Sequence, residues 1–130
     1  MSGMTEGDNK MTLVLVVEDN EMNRDMLTRR LERKGLAVEC AIDGPEGIRM
    51  AGQVLPDIVL MDVALGAMDG WEATRAIKAD PKTTHIPVIA LTAHALESDR
   101  KKSLEAGCSE FETKPVDIER LITKIKFLIN

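Results

Sequence analysis

Short apolar runs alternate with longer amphipathic stretches along most of this sequence. The runs lie at 13–17, 37–41, 58–61 and 88–91, with a weaker fifth run at 109–112. Because most of them are continuously apolar, they predict strands that are buried on both faces of a parallel sheet. Right-handed crossovers between such strands favour a doubly wound α/β sandwich built from five β-α units.

Capping residues between the apolar runs predict five helices. Asn20 is expected to cap a helix that ends at Gly35, and its apolar stripe is Met22, Met26, Leu27 and Leu31. Asp43 and Glu46 have the spacing of a capping box at the start of the second helix. The remaining helices are predicted at about 69–79, 95–106 and 118–129.

The length and composition predict a single globular domain over residues 12–130. The chain has 130 residues, of which 44% are hydrophobic and 30% are charged. Residues 1–11 lack apolar periodicity and are expected to form a flexible leader. No apolar run approaches the roughly 20 residues that a membrane helix needs, so neither membrane insertion nor a secretion signal is predicted.

Charge and cysteine content narrow the possible functions. The formal net charge of −5 disfavours direct binding of nucleic acid. Cys40 and Cys108 form no C-x-x-C pair and have no neighbouring histidine. They therefore predict neither a disulfide framework nor a zinc site, and we expect two small buried thiols in a reducing cytoplasm.

Five polar residues follow the predicted strands directly. Glu18 and Asp19 follow the first strand, Asp62 the third, Thr92 the fourth and Lys114 the fifth. Each alone is an ordinary loop or capping residue. Together they would gather at one edge of the sheet, where two charges about 4 Å apart repel by about 4 kcal/mol at an effective dielectric near 20. Carboxylates without histidine or thiolate favour Mg²⁺ or a similar ion as the counter-ion, and Asp62 is then the natural nucleophile for a phosphoryl group.

The order and spacing of these motifs resemble the receiver domains of response regulators, the CheY-like family. The resemblance covers residues 12–129 and implies a sheet of strand order 2-1-3-4-5. Its anchors are Val16-Val17-Glu18-Asp19-Asn20, Asp57 to Asp62, Met68-Asp69-Gly70, Ile86 to Ala93, and Gly107-Cys108 through Lys114-Pro115. It implies a signalling module rather than an enzyme.

The resemblance also implies a role for each site residue. Asp62 would accept phosphate from a sensor histidine kinase or a histidine phosphotransfer protein. Mg²⁺ would be held by Asp19, Asp62 and the backbone carbonyl of Ala64, with Glu18 acting through water. Phosphoryl oxygens would be bound by Thr92 and Lys114, with help from the backbone N–H groups of Ala64 and Ala93. Lys114-Pro115 resembles the family's cis peptide.

A conformational response is implied as well. Phe111 matches the aromatic position that swings inward as Thr92 moves toward phosphate, although ordinary core packing would equally explain it. Trp71 is expected to pack between helices. The surface that contacts a downstream protein target is expected on the fourth helix, fifth strand and fifth helix, with the exposed residues Arg100, Lys101, Glu105 and Lys124.

Departures from the family pattern and rival functions complete the predictions. Leu65-Gly66 replaces a frequent Met-Pro, so the loop should be looser and Mg²⁺ affinity lower.

An aspartyl phosphatase is disfavoured because Ala64 stands where a second acid is usual, and an acidic first loop disfavours nucleotide or flavin binding. A receiver cut from a hybrid histidine kinase and a phosphorylation-independent docking receiver stay open, although the end of the chain after the last helix favours a free-standing regulator.

Overall fold

The computed structural model describes residues 11–129. The predicted leader at 1–11 therefore lies outside the described residues, except for the exposed Met11. The elements follow a strict β-α alternation: β1 Leu13–Val17, α1 Glu21–Arg33, β2 Ala37–Ala41, α2 Gly44–Val54, β3 Ile58–Asp62, α3 Gly70–Ala79, β4 Val88–Thr92, α4 Glu97–Ala106, β5 Glu110–Thr113 and α5 Ile118–Ile129. All pairs are parallel and the sheet order is β2-β1-β3-β4-β5, which confirms the predicted fold.

Three strands extend further than the apolar pattern predicts. β3 and β4 each include one more residue, Asp62 and Thr92, and β5 is shifted by one to 110–113. Backbone pairing explains the difference, since Asp62 pairs with Leu91 and Thr92 pairs with Thr113. The sheet thus continues through the first polar residues and fixes the position of their backbone.

Apolar side chains fill both faces of the sheet. One cluster includes Leu15, Val17 and Met61 and packs under α2 and α3, while the other includes Val16 and Leu60 and packs under α1 and α5. Full burial of such a side chain contributes roughly 1.5–3 kcal/mol. The two-sided burial is what the uninterrupted apolar strands predicted.

The predicted apolar stripe of α1 is wrong in its first half. Leu27 and Leu31 are buried, but Met22 is 74% exposed and Met26 is 45% exposed. The start of α1 lies at the carboxyl edge of the sheet, where β1 ends in acids rather than apolar residues. Met22 therefore has no apolar sheet surface to cover.

Side-chain caps fix the starts of α1, α2 and α3 at this same edge, and Asp117 caps α5 in the same way by accepting from Arg120 N at 3.1 Å. The Oδ1 atoms of Asn20, Asp43 and Asp69 accept from the backbone N–H three residues later, at 2.8–2.9 Å. Such a cap contributes about 1 kcal/mol. Glu46 completes the second cap by accepting from Ile42 N at 2.9 Å, one residue before the predicted box. α4 lacks a side-chain cap at Leu96 and begins two residues later than predicted.

The cysteines differ from each other. Cys108 is buried as expected, and burial raises the pKa of its thiol to about 11. Cys40 was predicted to be buried as well, but it is only half-buried beside Thr28.

Across residues 11–129, no helix has the length and apolar character needed to cross a membrane.

Candidate functional site

The carboxyl ends of β1 and β3 bring three acidic side chains together. Val17 pairs with Met61, so the next residues, Glu18 and Asp62, lie side by side at the edge of the sheet. One carboxylate oxygen from each of Glu18, Asp19 and Asp62 lies within 4.8 Å of the others. Glu18 and Asp62 are 2% exposed, while Asp19 faces solvent.

Lys114 reaches this acidic cluster from the far side of the sheet. Thr113 pairs with Thr92, so Lys114 leaves β5 at the same edge. Its Nζ lies 3.0 Å from Asp62 Oδ2 and 3.1 Å from Glu18 Oε1. The ammonium therefore offsets the repulsion between the two buried carboxylates. The Lys114-Pro115 peptide is cis.

The charges of the cluster shift the pKa values of two members. Burial, together with hydrogen bonding and charge from Asp62, raises the pKa of Glu18 to about 7, because these effects outweigh the hydrogen bonds from Asn20 N and Lys114, which lower it. Burial also acts on Lys114, where it lowers the pKa, but hydrogen bonds and charges from Asp62 and Glu18 outweigh it and raise the pKa above its ordinary value. Lys114 therefore stays a cation at neutral pH.

Backbone donors hold the two buried carboxylates in place. Ala64 N donates to Asp62 Oδ1 at 2.9 Å, and Asn20 N donates to Glu18 Oε2 at 3.1 Å. Arg24 Nη1 donates to the carbonyl oxygen of Glu18 at 2.9 Å. Sequence reasoning missed Arg24, because its position one turn into α1 shows only as ordinary helix charge.

Gly70 holds the start of α3 against the end of β3. Its N–H donates to Val63 O at 3.1 Å. A Cβ at this position would collide with the carbonyl oxygen of Asp62 and lie 2.7 Å from Val63 Cα. The sequence shows Gly70 as part of an anchor motif, but only the structure shows that the backbone of Asp62 requires it.

Thr92 and the residues after it line the next part of the edge. Thr92 is 1% exposed, and its Oγ1 lies 3.2 Å from both the N and the O of His94. Its hydroxyl therefore bonds the loop after β4, and the described side chains show no hydrogen bond from it to Asp62. The side chains of Ala64, Ala93 and His94 are exposed around the site.

Phe111 and Lys124 lie behind the site, and the expected exposure of Lys124 is wrong. Phe111 is half-buried against the core. Lys124 Nζ donates to Phe111 O at 2.8 Å, lies 6.0 Å from its ring centroid and pairs with Glu112 at 3.0 Å. Its side chain is only 24% exposed, because Glu112 is buried and attracts the ammonium inward. Arg100, Lys101 and Glu105 are exposed as expected.

Trp71 packs as predicted. It lies on the first turn of α3, half-buried against the core, and its Nε1 donates to Ser103 Oγ on α4 at 2.9 Å. Lys102 Nζ lies 5.2 Å from its ring centroid.

A groove opens beside the acidic cluster, between α1 and the segment after β5. Its volume is about 400 Å³. Glu18 and Lys114 lie at the end of the groove that meets the acidic cluster. Apolar side chains form much of the remaining wall: Met26, Leu27, Leu91, Pro115 and Val116. The groove therefore ends at Glu18 and Lys114, the two side chains that flank Asp62.

The donor set fits a hard divalent cation. Three carboxylates converge at one point, one of them exposed, and the site contributes neither imidazole nor thiolate. Oxygen ligands with room for water are the preference of Mg²⁺. Glu18, Asp19 and Asp62 are therefore the residues that would hold such an ion.

Comparison with known proteins gives a consistent result. The family model for the response regulator receiver domain matches residues 14–126. The chain is 43% identical over 115 residues to the response regulator PleD of Caulobacter vibrioides, covering 88% of this chain and 25% of PleD. It is 36% identical over 113 residues to the polar-differentiation response regulator DivK of Brucella anthropi, covering 87% of this chain and 92% of DivK.

A solved structure shares the architecture. The receiver domain of the sensor histidine kinase PA1611 from Pseudomonas aeruginosa superposes with a TM-score of 0.86 at 35% identity, covering 92% of this chain and 98% of that chain. That crystal structure has a magnesium ion coordinated in the active-site cleft. From its motifs, its strand order and these similarities, the chain belongs to the family of response regulator receiver domains, the CheY-like signalling modules of two-component systems.

Proposed function

We propose that the chain is a phosphoacceptor receiver in a two-component phosphorelay and that Asp62 is the acceptor. The observation that carries the proposal is the position of its carboxylate, buried between Glu18 and the ammonium of Lys114 at 3.0 Å. A carboxylate oxygen of Asp62 would attack the phosphorus of a phosphohistidine. The P–N bond would break, its electron pair would stay on the imidazole, and Asp62 would carry an acyl phosphate.

The residues around Asp62 have complementary roles in this transfer. Ala64 N fixes one carboxylate oxygen, and Lys114 lies where it can contact the incoming phosphoryl oxygens. Asp19, Asp62 and the carbonyl of Ala64 would hold Mg²⁺, with Glu18 acting through water. When bound, the ion would neutralise charge that develops on the phosphoryl oxygens.

The phosphorylated form would be read out through Thr92 and Phe111. Phosphorylation adds about 1.5 to 2 negative charges at Asp62. The Thr92 hydroxyl would exchange its contacts with His94 for a phosphoryl oxygen, alongside the N–H of Ala93. Movement of Thr92 would open space for Phe111, and this would alter the face formed by α4, β5 and α5.

Two surfaces suit the two kinds of protein partner. The phosphodonor, a sensor histidine kinase or a histidine phosphotransfer protein, would dock over the groove, where Met22 and Met26 are exposed next to the site. A downstream protein target would bind the α4-β5-α5 face, with Arg100, Lys101 and Glu105 exposed. Direct binding of nucleic acid is not part of the proposal, because the net charge is −5.

A receiver that forms part of a longer protein is the second candidate. The chain spans a quarter of the length of PleD, and the PA1611 receiver, at 35% identity, belongs to a histidine kinase. The same phosphoryl chemistry at Asp62 would apply in either setting. The genomic sequence on both sides of the coding region distinguishes the two.

Radiolabelling with acetyl phosphate and Mg²⁺ tests the acceptor. We expect the wild type to be labelled and Asp62→Asn to stay unlabelled. Asp69→Asn is the matched control, because it changes an acid in the same loop and asparagine also caps helices well. Label on Asp62→Asn at the wild-type level would refute the assignment, and so would an unlabelled, folded wild type. The unlabelled result would favour the docking receiver.

A further inference from the structure

The first turn of α2 packs closely against both segments that carry the site's acids. A Cβ at Gly47 would lie 2.9 Å from Val17 Cγ2, and Val17 is the residue just before Glu18. A Cβ at Gly44 would lie 2.8 Å from Met68 Sδ, in the loop between β3 and α3. The two glycines therefore let one helical turn contact the β1 end and the β3–α3 loop together.

Packing, rather than backbone conformation, accounts for glycine at position 44. Gly44 is buried and begins α2 after the Asp43 cap, and its φ lies outside the left-handed region. Any residue could adopt that backbone. The neighbour is the whole Met68 side chain, whose Cγ and Cβ would lie 3.0 and 3.2 Å from an added Cβ.

Met68 is one of the few fixed points of the loop that carries the proposed metal-binding carbonyl. The loop is tied to the core by the buried Leu65 and at its end by Gly70, whose N–H donates to Val63 O. Between these points Gly66 and Ala67 are exposed, and an added Cβ at Gly66 would meet open space. With an unconstrained Gly66, the side chain of Met68 is what holds the second half of the loop to α2.

We propose that Gly44 and Met68 are positioning residues for the cation: Met68, lying over Gly44, holds the β3–α3 loop so that Asp62 and the Ala64 carbonyl face the same ion as Glu18 and Asp19. This inference rests on the proposed function, because it requires Mg²⁺ at that site. Residues that orient metal ligands commonly change affinity by about 10- to 100-fold when they are altered.

Mg²⁺ titration by calorimetry tests the proposal, with thermal unfolding in chelator to establish that each variant is folded. We expect Gly44→Ala and Met68→Ala each to weaken Mg²⁺ binding about tenfold. The double variant should bind no more weakly than Met68→Ala alone, since the added methyl then has no side chain to displace. Gly52→Ala is the matched control, because it lies in the same helix and its added Cβ meets nothing within 4 Å.

Met68→Leu keeps the proposal testable if Gly44→Ala does not fold. Leucine fills a similar volume, so Met68→Leu should bind Mg²⁺ within about threefold of the wild type while Met68→Ala does not. Wild-type affinity in folded Gly44→Ala or in Met68→Ala would overturn the positioning role. So would losses that multiply in the double variant, since they would show that the two residues act independently. A wild type that binds no Mg²⁺ would instead overturn the proposed metal site, and with it this inference.

Discussion

Glu112 is the buried acid that joins β5 to α5, and its neutralisation gives a sharp test of the structure. Glu112 is 2% exposed, and its Oε1 accepts from Arg120 Nε at 2.7 Å. Its Oε2 lies 3.0 Å from Lys124 Nζ. Glu112→Gln keeps the shape of the side chain and removes its charge, so the variant should lose stability without a change of fold.

The expected loss lies between the values for exposed and buried ion pairs. A hydrogen bond to a charged group contributes about 1.5–3 kcal/mol, and an exposed ion pair contributes about 0–1 kcal/mol. The Arg120 side chain is 53% exposed and can return to water, whereas Lys124 is 24% exposed. Because solvent screens part of the network, we expect Glu112→Gln to lower the free energy of unfolding by about 1–3 kcal/mol. For a domain of this size, that is a fall in Tm of about 4–12 °C.

The pH dependence distinguishes lost charge from disturbed packing. Burial raises the pKa of Glu112, but hydrogen bonds and charges from Arg120 and Lys124 outweigh it and hold the pKa below the ordinary 4.5. A lowered pKa gives stability that is fully present above 4.5 and is lost as pH falls through the folded-state value. The difference between wild type and Glu112→Gln should therefore be complete at neutral pH and should shrink below pH 4.5.

Urea unfolding in chelator, followed by the fluorescence of Trp71, measures this difference. Trp71 is the single tryptophan, so the signal has one source. Glu105→Gln, an exposed acid on α4, is the control and should change stability by less than about 0.5 kcal/mol. Equal stability of Glu112→Gln and wild type at neutral pH would refute the argument. A difference that persisted unchanged in acid would show that packing, not charge, was lost.

Two further predictions concern the site itself. Gly70→Ala should lower the free energy of unfolding by about 1–3 kcal/mol in urea melts, because the added Cβ would collide with the backbone of Asp62. Gly52→Ala is the control and should stabilise the protein slightly, because its added Cβ meets open space. Equal melts for wild type and Gly70→Ala would contradict the packing. Lys114→Met should slow labelling of Asp62 about 100-fold. Mg²⁺ should bind at least as tightly as in the wild type, because the substitution removes a competing cation from beside two buried carboxylates. Labelling at the wild-type rate would contradict the role of Lys114.

The fold could be predicted from the sequence because the three central strands, β1, β3 and β4, are buried on both faces. Uninterrupted runs such as Leu13–Val17 leave few alternatives to a covered parallel sheet. The gathering of Glu18, Asp62 and Lys114 follows from that sheet, since parallel strands all end at one edge. The roles of these residues in phosphoryl transfer stay predictions for the labelling and titration experiments.

The failures share a physical cause. Helical spacing identifies a face of α1, but it does not show how far along the helix the sheet continues, so Met22 was expected inside and lies in solvent. Charge on α5 predicts exposure, yet Lys124 turns inward because Glu112 on β5 is buried there. Both errors arise where the position of one element relative to another, rather than its own periodicity, decides burial.

The same reasoning explains why the loop after Asp62 can tolerate a glycine at position 66. The family pattern places a rigid proline there, and its loss predicts a loose metal site. The loop is nevertheless tied on both sides of Gly66, by Leu65 in the core and by Met68 over Gly44. A proline at position 66 would make the loop rigid through its own ring. In this chain the packing of Leu65 in the core and of Met68 against Gly44 can give the same rigidity. Mg²⁺ affinity in this chain should therefore depend on the contact between Met68 and Gly44 of α2 more than on the residue at position 66, and Gly44→Ala measures that dependence.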